Sequence, residues 1–252
     1  MLPGMHRAFL PAVVATLVLT ACSQSSNGPT PSERRAQPAV AARAADAQAD
    51  KELAMYRSML AQGNYELAAP LGQEIATRFA RTPAATEVSK TLPDTVARAK
   101  ASSGMRRLKR LWSYQTGPES GGVQNTASIY SSEPEGLNDR IRLVLRRHSQ
   151  WGQSVYLFGH GAGFVCAGRC SVAVRFDDKP VERFKAYLPP TGEPALFIEN
   201  DARFISLMQQ AHKISLDVML KGEGKKTLVF EVGGYDATRF PQLPKGAHKK
   251  SK

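Results

Sequence analysis

The chain has 252 residues, of which 42% are hydrophobic and 22% charged. These values exclude a chain disordered throughout and a multi-span membrane protein, and they allow one or two globular domains. Lysine and arginine outnumber the acids, for a formal charge of +12 and a pI near 9.8, so the expected neighbour is anionic.

Arg7 is followed by an apolar stretch from Ala8 to Ala21, shorter than a membrane span and of the size of a signal-peptide core. It ends in Leu19-Thr20-Ala21-Cys22. That string resembles the lipobox of bacterial lipoproteins. The resemblance implies cleavage of residues 1–21, acylation of Cys22 and, with Ser23 next, sorting to the outer membrane, facing the periplasm. Several acyl chains anchor stably where one is marginal. Loss of the leader removes only one formal charge, Arg7, so the basic character belongs to the exported part. Nucleic acid is then a poor partner.

Residues 22–46 are rich in Ser, Pro, Ala and Gln without an aromatic side chain, which predicts a flexible tether, its alanine-rich later part fraying into helix. Helical spacing starts near residue 47, with Leu53, Tyr56, Met59 and Leu60, and stops at Gly63-Asn64. A second helix carries Ala68, Leu71, Ile75 and Phe79, with Pro70 in its first turns. A third follows Pro83 with Val88, Leu92, Val96 and Ala99, and Pro93 is expected to kink or divide it. Gly63-Asn64-Tyr65-Glu66-Leu67-Ala68 resembles the inter-helix turn of a tetratricopeptide repeat, which implies protein contact. There is one copy, so the expectation is a helical hairpin over residues 47–103, not a solenoid.

From residue 104 to 240 short alternating segments replace helices. Candidate strands are Leu111–Thr116, Thr126–Ser132, Ile141–His148, Ser154–Phe158, Phe164–Cys166, Cys170–Phe176, Val181–Leu188, Pro194–Ile198, Ile214–Leu220 and Thr227–Val232. Glycine, proline and aspartate turns separate them. One helix intervenes, with Phe204, Leu207, Met208 and Ala211 as its stripe and Asn200 or Asp201 as its cap. The predicted class is α+β: a short N-terminal helical segment, then an antiparallel β-sandwich with one packed helix, then a basic tail over 241–252. Arg175-Phe176-Asp177 and Phe230-Glu231-Val232-Gly233 resemble segments of type VI secretion accessory proteins of the VasI and TagO kind, and of invasion-associated locus B proteins. The resemblance covers about residues 165–236 and implies a sandwich, with no catalytic residue.

Cys166 and Cys170 are the two cysteines left beside Cys22, and in an exported protein such a pair predicts a disulfide. A metal site with His148 and His160, or a redox pair, are the alternatives. Along one straight strand the two would be about 13 Å apart, so Ala167-Gly168-Arg169 must turn. Gly159-His160-Gly161-Ala162-Gly163 has a phosphate-loop look but neither a following helix nor its lysine, and reads as an inter-strand loop. Asp177-Asp178 ahead of Lys179-Pro180 reads as a hairpin turn and not as paired catalytic carboxylates. Trp112, Tyr114 and Trp151 read as core or rim aromatics. No G-x-S-x-G or H-E-x-x-H string occurs.

On the segment Ile141–His148, Ile141, Leu143 and Leu145 alternate with Arg140, Arg142 and Arg146. The arginines thus share the face away from the core, either as a solvated face or as an anion-binding surface. The basic run Arg106, Arg107, Lys109, Arg110 and the tail lysines Lys245, Lys249, Lys250 and Lys252 would assist the second. The expected function is a non-enzymatic envelope lipoprotein, without cofactor or catalytic residue, that binds or scaffolds an envelope protein or an anionic envelope polymer. Alternatives are an accessory or toxin-inhibitor lipoprotein of a secretion system, or a hydrolase with scattered residues.

Overall fold

A computed structural model of the chain describes residues 31–132, 140–159, 161 and 163–243, with side chains from residue 37 onward. Cys22, His160 and the tail lysines lie outside the described residues. No helix of the described residues is long and apolar enough to cross a membrane.

Three helices come first: α1 (Pro31–Ala61), α2 (Tyr65–Arg78) and α3 (Pro83–Leu111). α1 begins inside the segment read as tether. Its alanines favour helix over coil, and Pro38 does not end it. Only its last turns bury side chains, at Ala49, Glu52, Leu53 and Tyr56, so packing fixes the later part while propensity carries the earlier one. Gly63 adopts φ +68°, and the Asn64 amide donates to Met59 O, which ends α1 in a left-handed glycine stop. Gly72 brings α2 close to its neighbours: a Cβ there would lie 2.8 Å from both the Tyr56 ring and the Leu92 side chain. The Tyr56 hydroxyl then reaches Thr91 and Thr95 of α3 at 2.9 and 3.0 Å. Thr82 caps α3 by accepting from the Ala85 amide, with Pro83 at the first helical position.

The third helix is undivided at Pro93 and longer than the sequence suggested. It passes through Pro93 and continues beyond residue 103 to Leu111, so the helical segment and the β-domain share an element. A proline in a helix interior removes one backbone hydrogen bond. Packing against α2 on the buried face of Val88 and Leu92 holds the helix together across that gap.

The β-domain contains β1 (Ser113–Glu119), β2 (Gly122–Tyr130), β3 (Arg142–His148), β4 (Gly152–Phe158), β5 (Arg169–Phe176), β6 (Glu182–Tyr187), β7 (Ala195–Ile198), a helix α4 (Asp201–Met208), β8 (Ile214–Leu220) and β9 (Gly224–Phe230). Among the described residues these strands make one nine-stranded antiparallel sheet, ordered β1-β2-β3-β4-β7-β6-β5-β8-β9. The sheet curls until its far parts meet: the Ser132 amide, just past β2, donates to Val229 O of β9 at 2.7 Å. Ala127, Leu143 and Leu157 from one wing and Val174, Leu216 and Leu228 from the other therefore share one core. The expected two-layer arrangement arises from a single curled sheet. The Phe164–Cys166 candidate is not a strand but one bridge, Phe164 to Leu220.

α4 packs into this core through Phe204, Ile205 and Met208. The Phe204 ring lies 5.7 Å from Phe176 and 5.5 Å from Phe184, edge on. Its N-cap residue is Asn200, one of the two expected. Asn200 sits at φ 58° and makes no side-chain cap, while the Asp201 carboxylate accepts from the Ala202 amide. Asp177 occupies the predicted turn, and its carboxylate accepts from the His212 and Lys213 amides at 3.0 and 2.8 Å.

The α3 end is fixed to the β-domain. Gly234 lies so near the helix that a Cβ would fall 2.2 Å from the Leu108 carbonyl carbon. The Trp112 indole donates to Val232 O, and the Arg107 guanidinium grips Glu231 at 2.6 and 2.8 Å. The C-terminal strap closes over the same end. Asn125 donates to Pro241 O at 2.9 Å, and the Arg147 guanidinium rests 4.2 Å from the Phe240 ring.

Candidate functional site

Alternation along β3 places Leu143 and Leu145 inside and Arg142, Val144, Arg146 and His148 on the outer side. Arg142 and Arg146 thus share a face as predicted. Arg140 stands outside β3, and its Nε is buried with no hydrogen-bond partner among the described residues. Of the three anion-binding candidates, Arg142 and Arg146 lie on the ladder and Arg140 stands two residues before it.

The pair does not sit on a merely solvated face. Val144 between them is only 3% exposed although it lies outside the main core. Its cover comes from neighbouring strands. Register sets Val144 opposite Tyr156, Tyr156 opposite Phe197, and Phe197 opposite Tyr187, a transverse row over β3, β4, β7 and β6. The rings stack: Tyr156 to Phe197 at 4.8 Å and Phe197 to Tyr187 at 5.4 Å, with planes inclined by 26° and 21°. The Arg146 guanidinium lies over Trp151, Tyr156 and Phe197 at 5.3, 5.4 and 5.9 Å, and its Nε donates to Ser154. Arg142 lies over Phe158 and Tyr130 at 5.5 and 6.0 Å. Burial pushes the Tyr156 phenol up, against the pull of Arg146 and Arg142.

A guanidinium over an aromatic face retains N–H groups that can bind an anion. Among the described residues neither Arg142 nor Arg146 forms an ion pair. The acid that feels Arg146 is Glu193, whose carboxylate is already held by the Thr191 hydroxyl. Other arginines are committed: Arg57 to Glu87, Arg98 to Asp94, Arg106 to Glu66, Arg107 to Glu231, Arg203 to Glu182. The basic run before β1 is thus partly a set of clamps between elements and not a free patch. Lys185 adds a positive charge on the outer side of β6, two positions from Tyr187. A shallow groove nearby, lined by Glu182, Arg183, Lys185, Glu199, Asn200 and Arg203, is occupied largely by its own pairs, Arg203 with Glu182 and, at its rim, Arg169 with Glu199.

Trp151 borders the face. It is 51% exposed, yet it stacks on the buried His148 ring at 3.8 Å. His148 Nδ1 accepts from the Gln150 and Trp151 amides, which leaves the proton on Nε2 for Glu119 O at 2.9 Å. This histidine orders the β3–β4 turn. Gly122 leaves room for it, since a Cβ there would meet the imidazole at 2.6 Å.

The Sγ atoms of Cys166 and Cys170 lie at bonding distance, with Cα atoms 5.4 Å apart, and Gly168 makes the required turn at φ +66°. Closing so short a loop contributes about 2 kcal/mol in the chain-entropy account. Among the described residues no three His, Cys, Asp or Glu side chains are grouped to hold a metal.

No protein-family model matches the chain, and no curated protein matches it. Among solved structures, the crystal structure of invasion associated protein B from Bartonella henselae is similar at a TM-score of 0.36 and 15% identity, over 51% of this chain and 87% of that chain. A likeness this distant bears on neither ligand nor activity.

Proposed function

We propose that the chain is a lipid-anchored envelope protein whose β-domain binds an anionic component of the cell envelope, with Arg142 and Arg146 as the anion-contacting residues. One observation carries the reading: two guanidiniums without ion pairs among the described residues lie over aromatic rings, at 5.3–6.0 Å from their centroids, on a face whose rings stack on one another. Ordering a flexible side chain costs binding energy, so arginines already ordered bind anions more tightly than free ones. The charge of +12 favours the same class of partner. The anchor is Cys22, carried by the lipobox string, and attachment to the outer membrane keeps the face in the periplasm.

The full chain in detergent micelles should bind lipopolysaccharide, with affinity that falls steeply as salt rises. Binding that is absent, or indifferent to salt, contradicts the reading. Expression of Cys22→Ser should abolish acyl-chain labelling, and labelling equal to the parent would remove the anchor from the account.

A further inference from the structure

We infer that the ligand of this face is an acidic polysaccharide, a chain of sugar rings bearing carboxylate or phosphate groups. The inference rests on the anion-binding reading above and names its substrate class. Arg142 and Arg146 are four residues apart on one strand, about 13 Å at the usual rise. Their guanidiniums lie over different rings, Arg142 over Phe158 and Tyr130 and Arg146 over Trp151, Tyr156 and Phe197, so a ligand that engages both at these positions carries more than one anionic group. The row Val144, Tyr156, Phe197 and Tyr187 crosses strands spaced about 4.8 Å apart and is therefore about 14 Å long, and the Arg146 guanidinium lies over two of its rings, Tyr156 and Phe197. A chain that follows the row meets Arg146 on it and Arg142 over the rings beside it.

Such a chain meets rings as well as charges. Tyr187 and Tyr130 are 38% and 47% exposed, and Trp151 presents a half-exposed indole at the rim. Sugar rings offer apolar C–H faces between polar hydroxyls. The C–H hydrogens match the negative face of an aromatic ring, while acidic substituents match the arginine edges. Lys185 extends the positive charge beyond Tyr187. The same features disfavour a lipid surface. Val144, the aliphatic side chain of the row, is covered, and stacking pins the rings so that they do not project into a bilayer.

The test uses the full chain in detergent micelles and three soluble probes: an oligomeric polyuronate, inorganic polyphosphate of equal charge, and a neutral glucan of equal length. The polyuronate should bind tightest. Tyr187→Ala should weaken it about five- to tenfold, the worth of one aromatic contact, and leave polyphosphate binding unchanged. Arg146→Gln should weaken both polyanions. Equal binding of polyphosphate and polyuronate, with Tyr187→Ala silent, overturns the polysaccharide inference and leaves the anion-binding reading standing. Glucan binding as tight as polyuronate overturns the acidic requirement. Failure of both polyanions to bind removes the inference and the reading beneath it. A thermal midpoint close to the parent's shows that each variant is folded.

Discussion

Asp177 shows how a single side chain ties two distant loops. Its backbone sits at φ 49°, in the left-handed region that aspartate tolerates, and its carboxylate bridges to the chain entering β8. Burial pushes its pKa up, but the Lys213 and His212 amides and the His212 and Lys179 charges together hold it below the ordinary aspartate value. An acid whose folded pKa is depressed stabilises the protein above its unfolded pKa, about 3.9. That stability is lost as pH falls through the folded value. Asp177→Asn should therefore flatten the dependence of the urea midpoint on pH below about pH 4. Equal acid sensitivity in parent and variant would show that Asp177 is not a source of it. Asp217, Glu231 and Glu87, held down by Lys225, Arg107 and Arg57, shift the parent in the same direction.

At the scale of elements, the contact between α3 and Gly234 decides whether helices and sheet act as one body. The backbones touch there, and a methyl group has no space. Gly234→Ala must displace the helix end from Trp112 and Glu231, an overpacking that costs about 1–3 kcal/mol. Protease cleavage in the α3–β1 region should rise sharply in that variant, and an unchanged cleavage rate would show that the docking is dispensable. Much at this scale was legible in the sequence. Ile214, Leu216, Val218 and Leu220 alternate cleanly and form β8 as read, because one face is buried and the other solvated. The extent of α1 and α3 was not legible. Prolines and a polar composition argue for breaks; alanine propensity carries the early part of α1 past Pro38, and in α3 helix-to-helix packing, a tertiary fact, overrides Pro93. The arginine face was half legible. Arg142 and Arg146 follow from period two within β3. Tyr156, Phe197 and Tyr187 join them only because β7 inserts between β4 and β6, an order that no local pattern encodes. Val144 shows the same limit, since alternation assigns it to solvent while its neighbours bury it.

For the whole molecule, charge and architecture point the same way. The positive excess is spread along the chain, but much of it is spent on clamps between elements, such as Arg106 with Glu66. On the outer side of β3, where the rings stack, Arg142 and Arg146 lie over aromatic side chains and form no ion pair among the described residues. That arrangement sets the central claim, that Arg142 and Arg146 take the anion. Its most direct measurement compares lipopolysaccharide binding by the full chain with that of the Arg142→Gln, Arg146→Gln double variant and of an Arg57→Gln, Arg98→Gln control. Glutamine keeps much of the side-chain length and removes the charge and the planar fork. The account predicts that the double variant loses at least about tenfold in affinity at low salt and most of the salt dependence, with the control unchanged. Parent-like affinity in the double variant, or an equal loss in the control, would contradict it.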